Sequence, residues 1–360
     1  MTPRQRIEAS FLHREPDRTP VFEYVMHSPM VDTFLGRPYV GDPDKWPAAL
    51  DKLGWEAAVK QLALDQLDLA CALGHDMMYV TPNPMPGQRA IGSHIPATVH
   101  SPDPVAAVRK RNEDTAAAGG GADAESALIY SLMKQEMQRR DMDLPMMAPA
   151  YAHGVWTDVD LMMAMLLSPE TAHEHFALAT QQALARIEQH IQVGVDIIGI
   201  GGDFAGNRPL ISPQAYREFI LPEVRTCARR IHEAGCWAIN ASDGDLWPVM
   251  DDFLVGCEVD GYLEIDQHAG MDLRRLKQAY GDRITFLGNL DCGNTLSFGS
   301  TEEVRRHVTE CLQAGQGNGG HILCASNAIT ASVPLENYLA AVNAYRDFFD
   351  LPHIVLVEKK

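Results

Sequence analysis

The sequence predicts a (β/α)8 barrel of the TIM type, one domain over residues 1–360 with a helical N-terminal extension. Three observations point there. From about residue 145 onward, short apolar runs rich in β-formers alternate with longer amphipathic stretches. The runs are continuously apolar, as in strands buried on both faces of a parallel sheet, and not alternating. Two further runs upstream bring the total to eight, and barrels of this kind commonly use roughly 200 residues or more as a single domain.

In chain order the first two strand candidates are TPVFEYVMH (19–27) and HDMMYVTP (75–82), each following a helix-like stretch. The other six are LPMMAPAYAHG (144–154), VDIIGIGGDFAG (195–206), CWAINASDGD (236–245), VDGYLEIDQHAG (259–270), ITFLGNLDCGN (284–294) and GHILCASNAIT (320–330). Helix signals separate them. Ser168 precedes Pro169 and Glu170, and that stretch ends at Gly194. Ser212 precedes Pro213 at the first helical position, with Gly235 at the close, and Ser300 stands three residues before Glu303 as a capping box. One segment, DTAAAGGGADAES (114–126), carries no hydrophobic period and reads as a mobile surface loop, a simple linker before a lid.

A composition of 46% hydrophobic and 22% charged residues is that of a globular protein, neither disordered nor fibrous. Thirty Lys+Arg against 48 Asp+Glu leave a net charge of −18, so neither nucleic acid nor an anionic membrane surface is an expected partner. The N-terminus MTPRQRIEASFLHREPDR has no apolar core segment, and no apolar run approaches a membrane span, so a cytoplasmic location is expected. Seven cysteines without a CxxC pair read as reduced thiols and not as a disulfide framework.

Several motifs fail on inspection. In GIGGDFAG, Phe204 stands where a dinucleotide-binding fingerprint starting at Gly199 needs its third glycine. His173 and His175 lie two apart on a helix, so they point in nearly opposite directions and cannot close on one ion. The GQGNGG run (315–320) precedes a strand and not a helix N-terminus, which makes it a turn. No GxSxG, P-loop or closed zinc spacing occurs.

What remains is positional, because barrel chemistry sits at the carboxyl ends of the strands. The polar residues ending the runs are Glu23 and His27, His153, Asp203, then Asn240, Ser242 and Asp243, then Glu264 and Asp266, Asn289 and Asp291, and finally Ser326 and Asn327. Asp266 and Asp291 equally suit capping of the next helix. Glu264, flanked by apolar strand residues, must face the mouth or find a buried partner. Asp203 and Asp243, on adjacent strands, can share a site and split their pKa values. His153 suits an acid, a base or a satisfied hydrogen bonder.

The series GVDIIGIGGDFAGNRPLISPQAYREFILP, NASDGDLWPVMDDFLVGCEVDGYLEID, AGMDLRRLKQAYGDRITFLGNLD and GGHILCASNAI resembles the uroporphyrinogen decarboxylase superfamily over about residues 3–350. The resemblance implies the same barrel, with either tetrapyrrole decarboxylation or methyl transfer among substrates, corrinoid proteins and thiols. The true decarboxylase has an arginine-bearing segment after the first strand and an Asp after the second. Here those places read EYVMHSPMVDTFLG, without Arg until Arg37, and VTPNPM, without Asp. The thiol-methylating branch resembles a zinc enzyme with a His-x-Cys-Gly segment on the fifth strand and a later Cys on the eighth. The matching segment here is Ala241-Ser242-Asp243-Gly244, and Asn327 falls at the Cys position with Cys324 three residues earlier. Only Asp243 keeps a metal-binding side chain, so the standard zinc site is absent and no zinc is expected.

The resemblance is closest to members with His-x-Asp-Gly at this place, which look like methyltransferase components of demethylation systems. The expectation is therefore a methyltransferase or demethylase that moves a methyl group from a small ether or amine to a corrinoid carried on a separate protein. Asp243, Glu264, His153 and Asp203 are its candidate catalytic residues. Glu23, His27, Asn240, Ser242, Asn289, Ser326 and Asn327 are candidate substrate-binding residues, with no metal ligands. A homodimer is implied by the family. The alternatives are a decarboxylase or related lyase and a non-catalytic small-molecule-binding barrel.

Overall fold

The computed structural model describes residues 1–27, 29–89, 100–121 and 123–356. Seven strands are present among them: β1 Met78–Tyr79, β2 Met146–Pro149, β3 Ile197–Gly201, β4 Trp237–Ala241, β5 Gly261–Leu263, β6 Thr285–Leu287 and β7 His321–Ile322. Each falls inside one of the apolar runs.

The expected first strand, 19–27, is not a regular strand and is corrected here. It makes only isolated parallel bridges, Val21 to Leu323 and Met26 to Ile329. Between them the ladder is broken by a side chain: Ala325 donates its amide to the Glu23 carboxylate at 3.0 Å. A carboxylate thus takes a donor that a strand neighbour's carbonyl would otherwise accept.

The chain partitions into two compact units, one of Met1–Gly92, Glu125–Met146 and Leu273–Lys360, the other of Ser93–Ala124 and Met147–Asp272. In the second unit β2 to β5 pair in parallel and in chain order, with Met147 opposite Ile197, Gly199 opposite Ile239 and Ile239 opposite Gly261. The strand side chains Ile197, Ile198, Ile200, Ala238 and Ile239 are buried, as their continuous apolar pattern requires. Phe204 is buried too, its ring centroid 4.8 Å from that of Tyr216, which explains an aromatic where a nucleotide loop needs glycine.

The helix signals hold, with one modification. Ser212 accepts the Ala215 amide at 3.1 Å, as an N-cap should. The helix then widens into a π segment over Tyr216–Ile220 before continuing as Leu221–Glu233. Pro222 has no amide to donate, so the hydrogen-bond register slips by one residue just before it. The 114–126 loop is also corrected. Asp114–Ala118 belong to the Pro104–Ala118 helix, which stops at Gly119 with φ 75°, and Ala124–Ala127 form a 3-10 turn. Alanine is the best helix former, and a short exposed helical turn needs no apolar period. The two helical histidines diverge as expected, His173 toward Glu218 and His175 toward Asn112.

In the first unit β6 and β7 pair in parallel, Phe286 opposite His321. The Thr301–Gly315 helix starts at a reciprocal Ser300–Glu303 capping box. The turn after it is occupied by an internal anion, since the amides of Gly317 and Gly319 both donate to Glu15 Oε2, at 3.1 and 2.6 Å. Two fully buried carboxylates anchor this unit through arginines: Asp76 with Arg6 and Arg18, and Asp65 with Arg37. No described helix is long and apolar enough to cross a membrane.

Candidate active site

Three consecutive parallel strands of the second unit end in a carboxylate. After β3 the chain turns through Gly201 and Gly202, with φ of 129° and 118°, into Asp203. A Cβ on Gly201 would fall 2.0 Å from Asn240 Oδ1, so only glycine fits against β4 there. After β4 come Ser242, Asp243 and Gly244. The last has φ 93°, and a Cβ on it would lie 2.5 Å from the Ala205 carbonyl carbon, so the turns after β3 and β4 pack backbone to backbone. After β5, Glu264 itself adopts φ 75°, a left-handed conformation costly for a residue with a side chain. The result is that one carboxylate oxygen each from Asp203, Asp243 and Glu264 lies within 4.8 Å of the others.

All three are partly exposed, and their environment is anionic. Asp203 Oδ1 accepts the Asp243 amide at 2.9 Å. Burial pushes the Asp203 carboxyl above its usual range, against the opposing effect of that amide and of the Ser242 hydroxyl. Below them, the Tyr262 hydroxyl lies 3.4 Å from the Ser242 carbonyl and 3.5 Å from that of Glu264. Its own ionisation is pushed far up, by burial first and then by the charges of Asp243 and Glu264. Three carboxylates at this spacing are stable together when a proton or a cation joins them. Their all-oxygen donor set suits a hard divalent cation. It is not the thiolate and imidazole set that the resemblance implies for zinc. Ala241 has no donor atom, Cys324 is fully buried, and the Asn327 carboxamide oxygen accepts the Ala328 amide at 2.7 Å.

The other candidates divide. His153 is buried, and its imidazole is pushed down to about 4, by burial first and against a hydrogen bond to the Gly202 backbone. That hydrogen bond ties it to the turn that carries Asp203. Ser242 stays with the carboxylates, its hydroxyl donating to the Asp243 carbonyl at 2.9 Å. Asn240 does not join them: its amide donates to the Phe253 carbonyl at 3.0 Å, on the helical side of β4.

The remaining candidates belong to the first unit, apart from Asp266, which lies in the second. Glu23 accepts from Ala325 at 3.0 Å and from the Tyr338 hydroxyl at 3.2 Å. His27 is exposed, and its backbone amide bonds Ile329. The Ser326 hydroxyl lies 3.6 Å from the Cys292 thiol. Asn289 is buried against Cys311, 3.5 Å from its sulfur. Asp291 caps the following turn through Asn294 and Thr295, and Asp266 holds the amides of His268 and Ala269. Arg37, the nearest arginine after the first segment, is bound by Asp65 and Asp68, which leaves no free guanidinium there to grip substrate carboxylates.

Sequence reasoning missed Tyr262 and Tyr338. Both are buried aromatics, and nothing in the local pattern separates a hydroxyl that bonds a backbone carbonyl (Tyr262) or a carboxylate (Tyr338) from one that fills a core.

The family described as uroporphyrinogen decarboxylase (URO-D) matches residues 145–348, more than half of the chain. A methylated-thiol–coenzyme M methyltransferase of Methanosarcina mazei is 26% identical over 192 residues, 53% of this chain and 47% of that protein. A uroporphyrinogen decarboxylase of Coxiella burnetii is 24% identical over 187 residues, 50% of this chain and 48% of that protein. The chain thus spans about half the length of these curated relatives. A solved methyltransferase from Methanosarcina mazei superposes with a TM-score of 0.69 at 18% identity, over 97% of this chain and 99% of that one, and so shares its fold. On the family match, this chain belongs to the uroporphyrinogen decarboxylase family.

Proposed function

We propose that this protein is a methyltransferase that removes a methyl group from a small methylated ether or amine and passes it to a corrinoid on a separate protein. The reading takes the eight runs as one (β/α)8 barrel with its mouth at the strand ends. The observation that carries it is the meeting of Asp203, Asp243 and Glu264 within 4.8 Å at three successive strand ends. Similarity to a methyltransferase that acts on methylated thiols supports the same class. Decarboxylation of a polyanionic tetrapyrrole is disfavoured, because the cluster repels carboxylates and Arg37 is engaged internally.

A reduced corrinoid supplies a strong nucleophile for the methyl carbon. The chain's residues do the rest. The three carboxylates bind the polar heteroatom end of the donor through a shared proton or the donor's own positive charge. The Asp243 amide and Ser242 hydroxyl fix Asp203, neutral His153 holds the Gly202 turn, and Tyr262 lies beneath the Ser242 and Glu264 carbonyls. The test is optical. Reduced cobalamin, purified protein and a panel of methyl ethers, methylamines and methyl thiols are followed for methylcobalamin formation. Transfer from at least one donor, abolished in Asp243→Ala, is expected. A silent panel beside an active control enzyme refutes the proposal.

A further inference from the structure

We propose that the turn before β7 is a self-modification site, at which Asn318 loses ammonia to form a succinimide with the Gly319 amide and then opens to aspartate or isoaspartate. The site lies wholly in the first unit and is independent of the methyltransferase reading. The GQGNGG run, a turn by its sequence, gathers a base and a positive charge around one Asn-Gly pair.

The nucleophile is the Gly319 amide nitrogen. Packing requires glycine there, since the backbone has φ 64° and a Cβ would lie 2.4 Å from the Arg14 carbonyl oxygen. The same lack of a side chain leaves the amide unhindered. It donates to Glu15 Oε2 at 2.6 Å, so a carboxylate already stands at the proton that must leave. The electrophile is the side-chain carbonyl carbon of Asn318. Its Oδ1 accepts from the Lys277 ammonium at 2.5 Å, a positive charge placed where negative charge develops. Lys277 also donates to the Gly319 carbonyl, which ties it to the turn. Asn318 Nδ2 donates to the Gly281 carbonyl at 2.8 Å, which fixes the plane of the side-chain amide. Asn318 itself is exposed, so water reaches the ring once it has formed.

The step balances. As the Gly319 nitrogen bonds to Asn318 Cγ, its proton passes to Glu15 and the carbonyl electron pair moves to Oδ1, against Lys277. The pair then returns, the Cγ–Nδ2 bond breaks, and Nδ2 takes the proton back from Glu15 and departs as ammonia. Glu15 and Lys277 end as they began. Burial lowers Lys277 to about 8, with Glu15 opposing, so it keeps most of its charge at pH ~7. Water finally adds to either ring carbonyl and opens the succinimide. Both products replace the Nδ2 donor by an acceptor-only carboxylate, so the bond to Gly281 is lost. Isoaspartate also lengthens the backbone between Gly317 and Gly319, whose amides share Glu15.

The experiment incubates the full chain near neutral pH, folded and in guanidinium, and follows residue 318 by peptide mass spectrometry. The succinimide lies about 17 Da below the starting mass and its hydrolysis products about 1 Da above it. The folded chain should react at least about tenfold faster than the unfolded one, because only folding brings Glu15 and Lys277 to the pair. Glu15→Gln keeps an oxygen for both glycine amides but removes the base, and Lys277→Met removes the charge. Each should lower the folded rate about tenfold or more, with an unchanged unfolding transition showing that the variant is folded. A folded rate no higher than the unfolded one overturns the proposal and means that the bond to Glu15 protects the amide. A folded rate that either variant leaves unchanged overturns it as well. If a variant does not fold, the wild-type comparison still decides.

Discussion

Replacing Asp203 by Asn should stabilise the protein, and by more as the pH rises. Two unit charges 4.8 Å apart, the outer limit of the cluster, repel by about 332/(20 × 4.8), or about 3.5 kcal/mol, at an effective dielectric of about 20. Asp203 faces two such neighbours. The wild type limits the cost by holding a proton and by partial hydration, so a net relief of about 1–3 kcal/mol at pH 8 is expected. Asparagine keeps an oxygen for the Asp243 amide, so the turn survives. The sign follows from the raised Asp203 carboxyl. The folded state binds that proton more tightly than the unfolded chain does. The penalty is therefore absent below the ordinary carboxyl range and complete above the raised folded value. Urea unfolding of chelator-treated wild type and variant should show the gain at pH 8 and a smaller one at pH 4.5, nearer the ordinary carboxyl range. A loss of stability at pH 8, or the same gain at both pH values, would refute the electrostatic account of the cluster.

Gly244→Ala should cost about 2–4 kcal/mol in urea unfolding, because the new methyl meets the Ala205 backbone at 2.5 Å and the backbone sits at φ 93°; a change under about 0.5 kcal/mol would show that the turn relaxes freely. Ser300→Ala removes the acceptor for the Glu303 amide and should lower stability by about 1 kcal/mol, read from the shift of the unfolding midpoint at constant slope. Arg37→Ala strands the fully buried Asp65 and should destabilise by about 3 kcal/mol, with Arg37→Lys recovering only part because it cannot reproduce the two bonds to Asp65 Oδ1. Elemental analysis of protein purified without added metal should find well under one equivalent of zinc; a full equivalent would mean that carboxylates here replace the missing imidazole and thiolate.

The α/β plan was legible because seven of the eight apolar runs contain a strand, and parallel strands buried on both faces leave a continuous signature. The 19–27 run has the same signature and the same burial at Phe22, yet it forms only bridges. Hydropathy reports where a side chain goes, not which acceptor its neighbour's amide chooses, and at Ala325 that acceptor is a side chain from a residue some 300 positions away. The 114–126 segment failed for the opposite reason. Alanine content argues for helix through local propensity, and the absence of an apolar stripe reflects exposure, not disorder.

Much the same division governs the candidate site. Asp203, Asp243 and Glu264 could be picked out because each closes an apolar run, and strand ends of a parallel sheet converge. Residues two apart on a strand share a face, so Asn240 and Ser242 part only because β4 ends at Ala241 and Ser242 already lies in the turn beyond it. The glycines carry the rest. Gly202 and Gly244, each beside an aspartate, read from sequence as ordinary turn residues, yet they admit the left-handed backbone that brings Asp203 and Asp243 into hydrogen-bonding range. Glu264 has no such glycine and takes the left-handed conformation itself. A residue with a side chain persists there only when the surrounding structure holds it, and the fold has put that strain at the one position whose carboxylate completes the group of three.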